Sequence, residues 1–238
     1  FGSSSGVKRI YRSNTGSNTT AFQFVAEIAM SATTYTDTSN NADLAEVIPS
    51  TYWIAPPDDD SSTYPDGPLK GLTALPNGIF AGFTGKRLCF SEAFVPYAWP
   101  ITYRMTLEDP IVGISAVGNG LIVTTESRPY LVTGTDSASM SAIRIEASQA
   151  CLSKTSMVDM GQYVLYAGPD GLVAAAGTDV QVITEGLISP DQWQSTYYPS
   201  TINATLWKGR YLGFYNTGSG FGGFIFDPRK GNQNLLGS

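Results

Sequence analysis

The chain has 238 residues, a net charge of −6 and no histidine. The lack of histidine in this sequence excludes Ser-His-Asp and Cys-His catalysis, histidine metal sites and histidine pH switches within it. The acidic balance argues against a protein that reads nucleic-acid sequence, because such proteins present a basic face to the phosphates. Charged residues are only 14% of the chain, and the abundance of glycine favours turns and β-strands over long amphipathic helices.

The two cysteines and the apolar runs add further limits. Cys89 and Cys151 lie within apolar segments, which indicates buried free thiols, with a disulfide as the alternative. No apolar run approaches the roughly 20 residues that a membrane-spanning helix needs, and no signal peptide is evident. The sequence starts at Phe1 rather than Met, so we expect a processed or partial chain.

Residues 1–48 are predicted to form a small β module. Three strands are expected, with the sequences VKRIYRS, AFQFVAEIAM and ATTYTDT. In the second strand Phe22, Phe24 and Ala26 alternate with polar residues, which is typical of a half-buried strand. The order of the three resembles the closing strands of a fibronectin type III module, so residues 1–48 are expected to be a partial fibronectin type III-like β module. The resemblance implies a spacer or docking module completed by residues outside this segment.

Residues 49–70 are predicted to form a linker rich in proline and aspartate, preceded by one helical turn within NADLAEVI. Asp58, Asp59, Asp60 and Asp66 are interpreted as a solvated acidic loop. A calcium site is the alternative, although the spacing of an EF-hand loop is absent.

The region 71–238 is organised around the stretch Thr155–Thr184, which predicts four short strands separated by glycine-containing turns. These strands are Thr155–Met160, Tyr163–Ala167, Leu172–Ala176 and Val180–Thr184. A four-stranded antiparallel meander is one blade of a β-propeller.

The same pattern recurs after turn glycines Gly78, Gly120, Gly161 and Gly209, at a spacing of about 40–50 residues that is typical of propeller repeats. We therefore expect an all-β fold with propeller-like blades at about 71–107, 108–147, 153–187 and 188–238. The fourth blade is expected to lack its outer strand. An ordinary sandwich or irregular barrel is the alternative.

Three features of the repeat region are candidates for an interface or a gate. A connector rich in aromatics and proline would either plug the gap between sheets or contact a second subunit. A serine N-cap with proline at the first helical position predicts a short helix at SPDQW. The glycine-rich stretch after Thr217 fits G-x-G-x-x-G, but a strand follows it, so we interpret it as a hairpin tip that acts as a gate. The candidate residues are Pro96, Tyr97, Trp99, Trp193, Gly218, Gly220 and Phe221.

A glycosidase needs only two carboxylates, so the lack of histidine does not exclude one. The candidates at strand ends are Glu92, Asp109, Glu126, Asp170 and Asp191, and nothing in their spacing pairs any two.

An ordered series of short motifs carries a family resemblance over about residues 43–215. The motifs are Leu75-Pro76-Asn77-Gly78, Phe90-Ser91-Glu92, Ala98-Trp99-Pro100, Pro110-Ile111-Val112-Gly113, Gln149-Ala150-Cys151, Tyr166–Leu172, Gln192-Trp193 and Gly209-Arg210-Tyr211. The series resembles the tail nozzle proteins of short-tailed bacteriophages, also called tail tubular protein B. Tyr97 departs from the pattern, which has histidine before Ala-Trp-Pro.

The resemblance implies a structural virion protein in the phage tail, without catalytic, cofactor or metal residues. It implies a homo-hexameric ring that binds the adaptor or tail tube protein above it and the tail fibres, and whose lumen conducts genomic DNA at ejection without sequence-specific binding. An acidic wall is compatible with that passage, because it repels phosphates. Two alternatives stay open: another structural or receptor- and fibre-docking protein built from blades, and a carbohydrate-acting propeller enzyme.

Overall fold

The computed structural model describes residues 6–15, 20–48, 54–62, 64–229 and 235–237. The chain divides into two compact units, Phe1–Thr51 and Tyr52–Ser238. Residues 49–53, at the start of the predicted linker, lie outside the described part of the chain.

The first unit is built on one antiparallel hairpin. Strand β1 (Val7–Thr15) pairs with β2 (Thr20–Ala29), and the register shifts between Ile10 and Tyr11. A single 3-10 turn at Asn41–Asp43 confirms the expected helical turn. The described part of this unit contains a two-stranded sheet, and the sandwich of a fibronectin type III module is not seen in it.

The prediction of a third strand in the first unit, with the sequence ATTYTDT, is wrong. Residues 32–40 belong to no strand. Side chains of β1 hold this segment instead: the Arg12 guanidinium donates to the Asp37 carboxylate at 2.7 Å and to the Ser39 carbonyl at 3.0 Å. An extended segment held by side chains has the same alternation in sequence as a strand, so the pattern alone does not separate the two.

The second unit contains four four-stranded antiparallel sheets, each a meander in chain order. We call them sheets 1 to 4. Sheet 1 holds β3 (Lys70–Ala74), β4 (Phe80–Thr84), β5 (Arg87–Phe90) and β6 (Arg104–Thr106). Sheet 2 holds β7 (Ile111–Val117), β8 (Gly120–Thr125), β9 (Tyr130–Thr133) and β10 (Ser141–Arg144). Sheet 3 holds β11 (Val158–Asp159), β12 (Val164–Ala167), β13 (Leu172–Ala176) and β14 (Asp179–Val182). Sheet 4 holds β15 (Asn203–Trp207), β16 (Arg210–Asn216), β17 (Phe221–Phe226) and β18 (Leu235–Gly237).

The sheets pack in series, each against the next. Ala81 and Phe83 of sheet 1 share a core with Leu121 and Val123 of sheet 2. A second core joins Ile122 to the face of sheet 3 that carries Val164 and Tyr166, and a third joins the opposite face of sheet 3 to sheet 4. The first strands of neighbouring sheets (β3, β7, β11 and β15) lie beside one another. Sheets 2 and 3 are therefore apolar on both faces, as strands of a buried stack should be.

Two details of the predicted repeat are corrected. The fourth sheet has an outer strand, because the backbone of β18 pairs with Phe224–Phe226. A strand of three residues is too short to show alternation in the sequence. In sheet 2 the left-handed turn residue is Gly118 (φ +57°), whereas Gly120 is the first residue of β8.

The described part of the predicted linker lies against sheet 1. The Thr84 hydroxyl donates to the Asp66 carbonyl at 2.7 Å. The Leu69 side chain packs so closely over Gly82 that a Cβ added to this glycine would lie 2.7 Å from the leucine. Arg87 pairs with the Asp66 carboxylate at 3.3 Å. Residues 54–62 and 64–69 therefore cover the face of sheet 1 that points away from sheet 2, and we call them the cover segment.

Both cysteines are buried and free, which confirms the prediction. Cys89 lies in β5 under the cover segment, and burial raises the pKa of its thiol to about 11. Burial also raises the pKa of Cys151. Both thiols are therefore held in the protonated, unreactive form.

Candidate interaction surface

The seven candidate residues occupy three separate places in the second unit. Pro96, Tyr97 and Trp99 lie in the loop from β5 to β6, Trp193 lies in the α-helix α1 (Pro190–Tyr197), and the remaining three lie at the β16–β17 hairpin. Successive strands of a meander run in opposite directions. The β5–β6 loop therefore lies at the end of the sheets where the first strand turns into the second, which we call the first-turn end. The β16–β17 tip lies at the opposite end.

Trp99 belongs to the core of its own chain. Its side chain is 2% exposed, and its indole N–H donates to the Pro96 carbonyl at 2.9 Å. Its backbone N–H donates to the Ile54 carbonyl of the cover segment at 2.7 Å. Of the two interpretations of this connector, internal packing therefore applies to Trp99, which is not available to a partner.

Trp193 is likewise internal. Helix α1 begins as predicted, with the Ser189 hydroxyl accepting from the Gln192 backbone N–H at 3.2 Å and Pro190 at the first position. Trp193 is fully buried, its indole N–H donates to the Gly168 carbonyl at 2.9 Å, and its ring meets Phe224 edge-on. This residue fixes the helix across sheets 3 and 4 and lies on no surface.

The hairpin tip Thr217–Gly220 is held by its own hydrogen bonds. The Thr217 backbone N–H donates to the Gly220 carbonyl at 2.9 Å, and the Gly218 N–H donates to the Asn216 side-chain oxygen at 2.8 Å. Gly218 has φ +85°, a conformation that glycine adopts without strain. The gate stays a prediction, and the tip is a compact turn rather than a long loop.

Sheet 4 presents an exposed aromatic face that sequence reasoning found only in part. Its inward face carries Tyr211 and Phe224, which are buried against sheet 3. On the outward face Trp207 is 43% exposed, Phe214 52% and Phe221 85%. Phe221 is a predicted candidate, whereas Trp207 and Phe214 were missed. The sequence signal for this face is the run YLGFY of β16, which places apolar residues on both faces of the strand. Such a run predicts that both faces of the strand are covered.

Basic residues border this outward face at the first-turn end. Asp227 accepts from Arg210 Nε at 2.9 Å and from Arg229 Nε at 2.8 Å. The Arg229 hydrogen bonds, joined by that from Arg210, hold the pKa of this buried carboxyl well below its ordinary value. Lys208 lies over the Trp207 ring at 4.9 Å. Two arginines pair with the one carboxylate and Lys208 adds a third cation, so this rim carries a net positive charge.

The β5–β6 loop presents a second exposed apolar patch. Phe94 is 80% exposed, Ile101 62% and Tyr97 49%. Phe94 has φ +59°, a left-handed conformation that costs a bulky residue roughly 1–2 kcal/mol. The Phe94 backbone N–H donates to the Gly78 carbonyl at 2.9 Å. The Phe94 ring packs so closely over Gly78 that a Cβ added to this glycine would lie 2.4 Å from the ring.

One cleft in the second unit contains two carboxylates. It has a volume of about 620 Å³ and lies beside α1 at the end opposite to the first turns. Asp170, one of the five candidate acids, lines it and accepts from Gln149 Nε2 at 2.7 Å. Glu185 lines it too and was missed from the sequence. Both acids are exposed.

Nothing in the described residues builds a metal site, since they contain no group of three or more His, Cys, Asp or Glu placed to hold an ion. Asp66 instead pairs with Arg87, and Asp60 accepts from the backbone N–H of Ser62. No helix within the described ranges is long and apolar enough to cross a membrane.

No protein-family model matches the sequence, and no curated protein matches it. Among solved structures, similarity is found to the N-terminal domain of Nup159, at 10% identity and a TM-score of 0.48, over 72% of this chain and 48% of that one. The WD40 domain of Pan2 from Neurospora crassa matches at 14% identity and a TM-score of 0.46, over 73% and 52%. BamB from Moraxella catarrhalis matches at 14% identity and a TM-score of 0.44, over 69% and 51%. The chain spans about half the length of these solved chains.

Proposed function

We propose that this chain is a structural protein of the tail-nozzle type, located in the virion at the distal end of a short-tailed phage tail. The observation that carries the proposal is where the motifs behind the resemblance lie. Leu75-Pro76-Asn77-Gly78 forms the first turn of sheet 1, Ala98-Trp99-Pro100 is buried beneath the cover segment, and Gln192-Trp193 docks α1. These three motifs hold sheets in place, as a scaffold protein requires, whereas Gln149 and Asp170 of two other motifs line the cleft beside α1.

We also propose two finer features of the fold. The four sheets form an arc of a β-propeller with β3, β7, β11 and β15 on its inner side, which is supported by the meander topology and by the contacts between those first strands. The first unit is a fibronectin type III-like module whose remaining strands come from outside residues 1–48.

The inner strands suit the passage of DNA without retention. Together β3, β7, β11 and β15 carry one basic and one acidic residue, Lys70 and Asp159. Tight binding of phosphates requires several Lys or Arg contacts, and each contact adds to the salt dependence of binding. A wall with nearly balanced charge lets a polyanion slide. The proposed partners are other copies of the chain, the adaptor or tail tube protein, the fibres and passing DNA.

Negative-stain electron microscopy of the purified chain tests the proposal. We expect rings with a central opening, and an antibody raised against the chain should decorate the distal tip of phage tails. A filter-binding assay at low salt should show no sequence-selective DNA binding. Antibody that decorates the fibre tips or the capsid, or tight selective DNA binding, would contradict the nozzle role.

The gate is tested separately at the hairpin tip. Deletion of Ser219 and Gly220 should change how well particles retain DNA while leaving assembly intact. Unchanged retention would remove the gate and leave the nozzle proposal in place.

The cleft supports a second candidate, a carbohydrate-acting enzyme. Two carboxylates in one cleft are the minimum equipment for glycoside hydrolysis. A screen on glycan substrates with the wild-type chain, Asp170→Asn and Glu185→Gln decides between the two. Hydrolysis that both substitutions abolish would replace the structural role with a catalytic one.

A further inference from the structure

The outer faces of sheet 1 and sheet 4, at the two ends of the row of sheets, differ in whether another segment covers them. The outer face of sheet 1 lies under the cover segment, which contributes Leu69 to its packing. The outer face of sheet 4 has no such cover among the described residues, and Phe221 on it is 85% exposed. We call this uncovered surface, with Trp207, Phe214 and Phe221, the last-sheet face.

The last-sheet face exposes three aromatic rings. A fully exposed aromatic side chain presents about 150–250 Å², so the three rings together expose roughly 400 Å². Their backbone register places Phe214 opposite Gly223 and Phe221 opposite Asn216, on one side of the β16–β17 hairpin. Trp207 lies on the same face, opposite Arg210, toward the other end of the strands. An exposed apolar area of this size matches the largest patch on a typical monomer, which is often a functional surface.

The opposite end of the row carries a matching patch. Phe94, Tyr97 and Ile101 of the β5–β6 loop are all about half exposed or more, and the strain at Phe94 is not offset by burial of its ring. We call these three residues together with the cover segment the first-sheet end. Because side chains of similar size are exposed at both ends, the two patches present comparable apolar area.

The charges at the two ends are opposite. Between residues 54 and 69 the sequence has four aspartates and no basic residue, and Arg87 of β5 pairs with one of the four, Asp66, so the segment keeps a net negative charge. Between residues 203 and 229 it has Lys208, Arg210 and Arg229 with Asp227 as the only acid. Opposite charges across an interface fix its orientation and suppress like-with-like pairing.

The geometry of the meanders also aligns the two ends. Turn 208–209 and residues 227–229 lie at the first-turn end of sheet 4, and the β5–β6 loop lies at the first-turn end of sheet 1. A rotation that places one copy after another, in the way sheet 4 follows sheet 3, therefore brings the basic rim and Trp207 toward the Phe94 loop and the acidic cover segment.

We propose that the last-sheet face of one copy binds the first-sheet end of a second copy, head to tail. The contact is heterologous, so repeated copies form a ring if the rotation closes. The apolar area on each side is below the about 800 Å² per partner of a stable pair, so a single contact is weak and closure adds the stability. The contact itself follows from the two surfaces, and only its closure into a ring rests on the proposed function.

Complementary variants of the full chain provide the test. Phe221→Ser removes the most exposed ring of the last-sheet face, and Phe94→Asn removes the ring of the other patch while keeping a residue that tolerates left-handed backbone. Light scattering over a concentration series, up to roughly millimolar protein for a weak contact, should show association of the wild type. Each variant alone should stay monomeric, and an equimolar mixture should form a dimer that grows no further. Lys208→Glu should weaken wild-type association roughly tenfold.

Ile143→Ser is the matched control, because Ile143 is 49% exposed on the outer strand of sheet 2, away from both ends. Its association should equal that of the wild type. A wild type that stays monomeric, or a Phe94→Asn variant that still dimerises alone through paired last-sheet faces, would overturn the contact. Rings that persist in both ring-removal variants would overturn it and leave the nozzle proposal standing. Open filaments sensitive to both variants would keep the contact and contradict the ring.

Discussion

Trp193 offers a sharp test of how the last two sheets are held together. Replacement by alanine removes a fully buried indole that packs against Phe224, at 6.0 Å between ring centroids, and Tyr197, at 5.4 Å. Buried tryptophan-to-alanine changes cost about 3–5 kcal/mol through lost transfer energy and the cavity left behind. Because the indole also donates a hydrogen bond, we expect a loss of about 4–5 kcal/mol.

Trp193→Phe separates the hydrogen bond from the packing. The phenyl ring keeps most of the aromatic contact, but the Gly168 carbonyl loses its donor at 2.9 Å. An unsatisfied buried carbonyl costs about 1–3 kcal/mol. We therefore expect this variant to lose about 2 kcal/mol, roughly half the effect of alanine.

Urea unfolding followed by far-UV circular dichroism measures both losses. Gln192→Ala is the matched control, since Gln192 is exposed on the same helix and alanine favours helix; it should change stability by less than about 0.5 kcal/mol. A Trp193→Phe variant as stable as this control would show that the Gly168 hydrogen bond contributes nothing. Equal losses for phenylalanine and alanine would show that ring packing is not the source of the stability.

Three further outcomes are expected. Leu165→Ala, in the fully buried centre of sheet 3, should cost about 2–4 kcal/mol in urea unfolding, whereas Asp59→Ala in the exposed cover segment should stay within about 0.5 kcal/mol; similar shifts for both would mean that the strand register is wrong. Cys89 and Cys151 should resist a thiol reagent in the native chain at neutral pH and react once urea unfolds it, because burial raises both thiol pKa values; rapid native labelling would refute that burial. Folding lowers the pKa of Asp227, so its contribution to stability is complete above the ordinary aspartate pKa of about 4 and is lost as the pH falls below it. Asp227→Asn should therefore make the free energy of unfolding less dependent on pH in the acid range. An unchanged pH dependence would contradict the pairing of Asp227 with Arg210 and Arg229.

Local chemistry in the sequence predicts most of the elements of the second unit. Strand β13 runs over Leu172–Ala176 as predicted, because an apolar run ends where Gly177 takes a left-handed turn. Helix α1 starts where Ser189 and Pro190 place it. Such signals depend on residues a few positions apart, so they can be read without the fold.

The tertiary structure alone decides which apolar residues are covered. Phe214 and Tyr215 are neighbours of similar size, and strand alternation puts them on opposite faces without saying which face is buried. Tyr215 lies on the core side because Tyr197 of α1 meets it at 5.6 Å, while Phe214 stays 52% exposed. The same holds for Trp99 and Trp193, which were both candidates for an interface and are both buried in the core. Burial is a property of what lies across from a residue, and that partner is set by packing between distant segments.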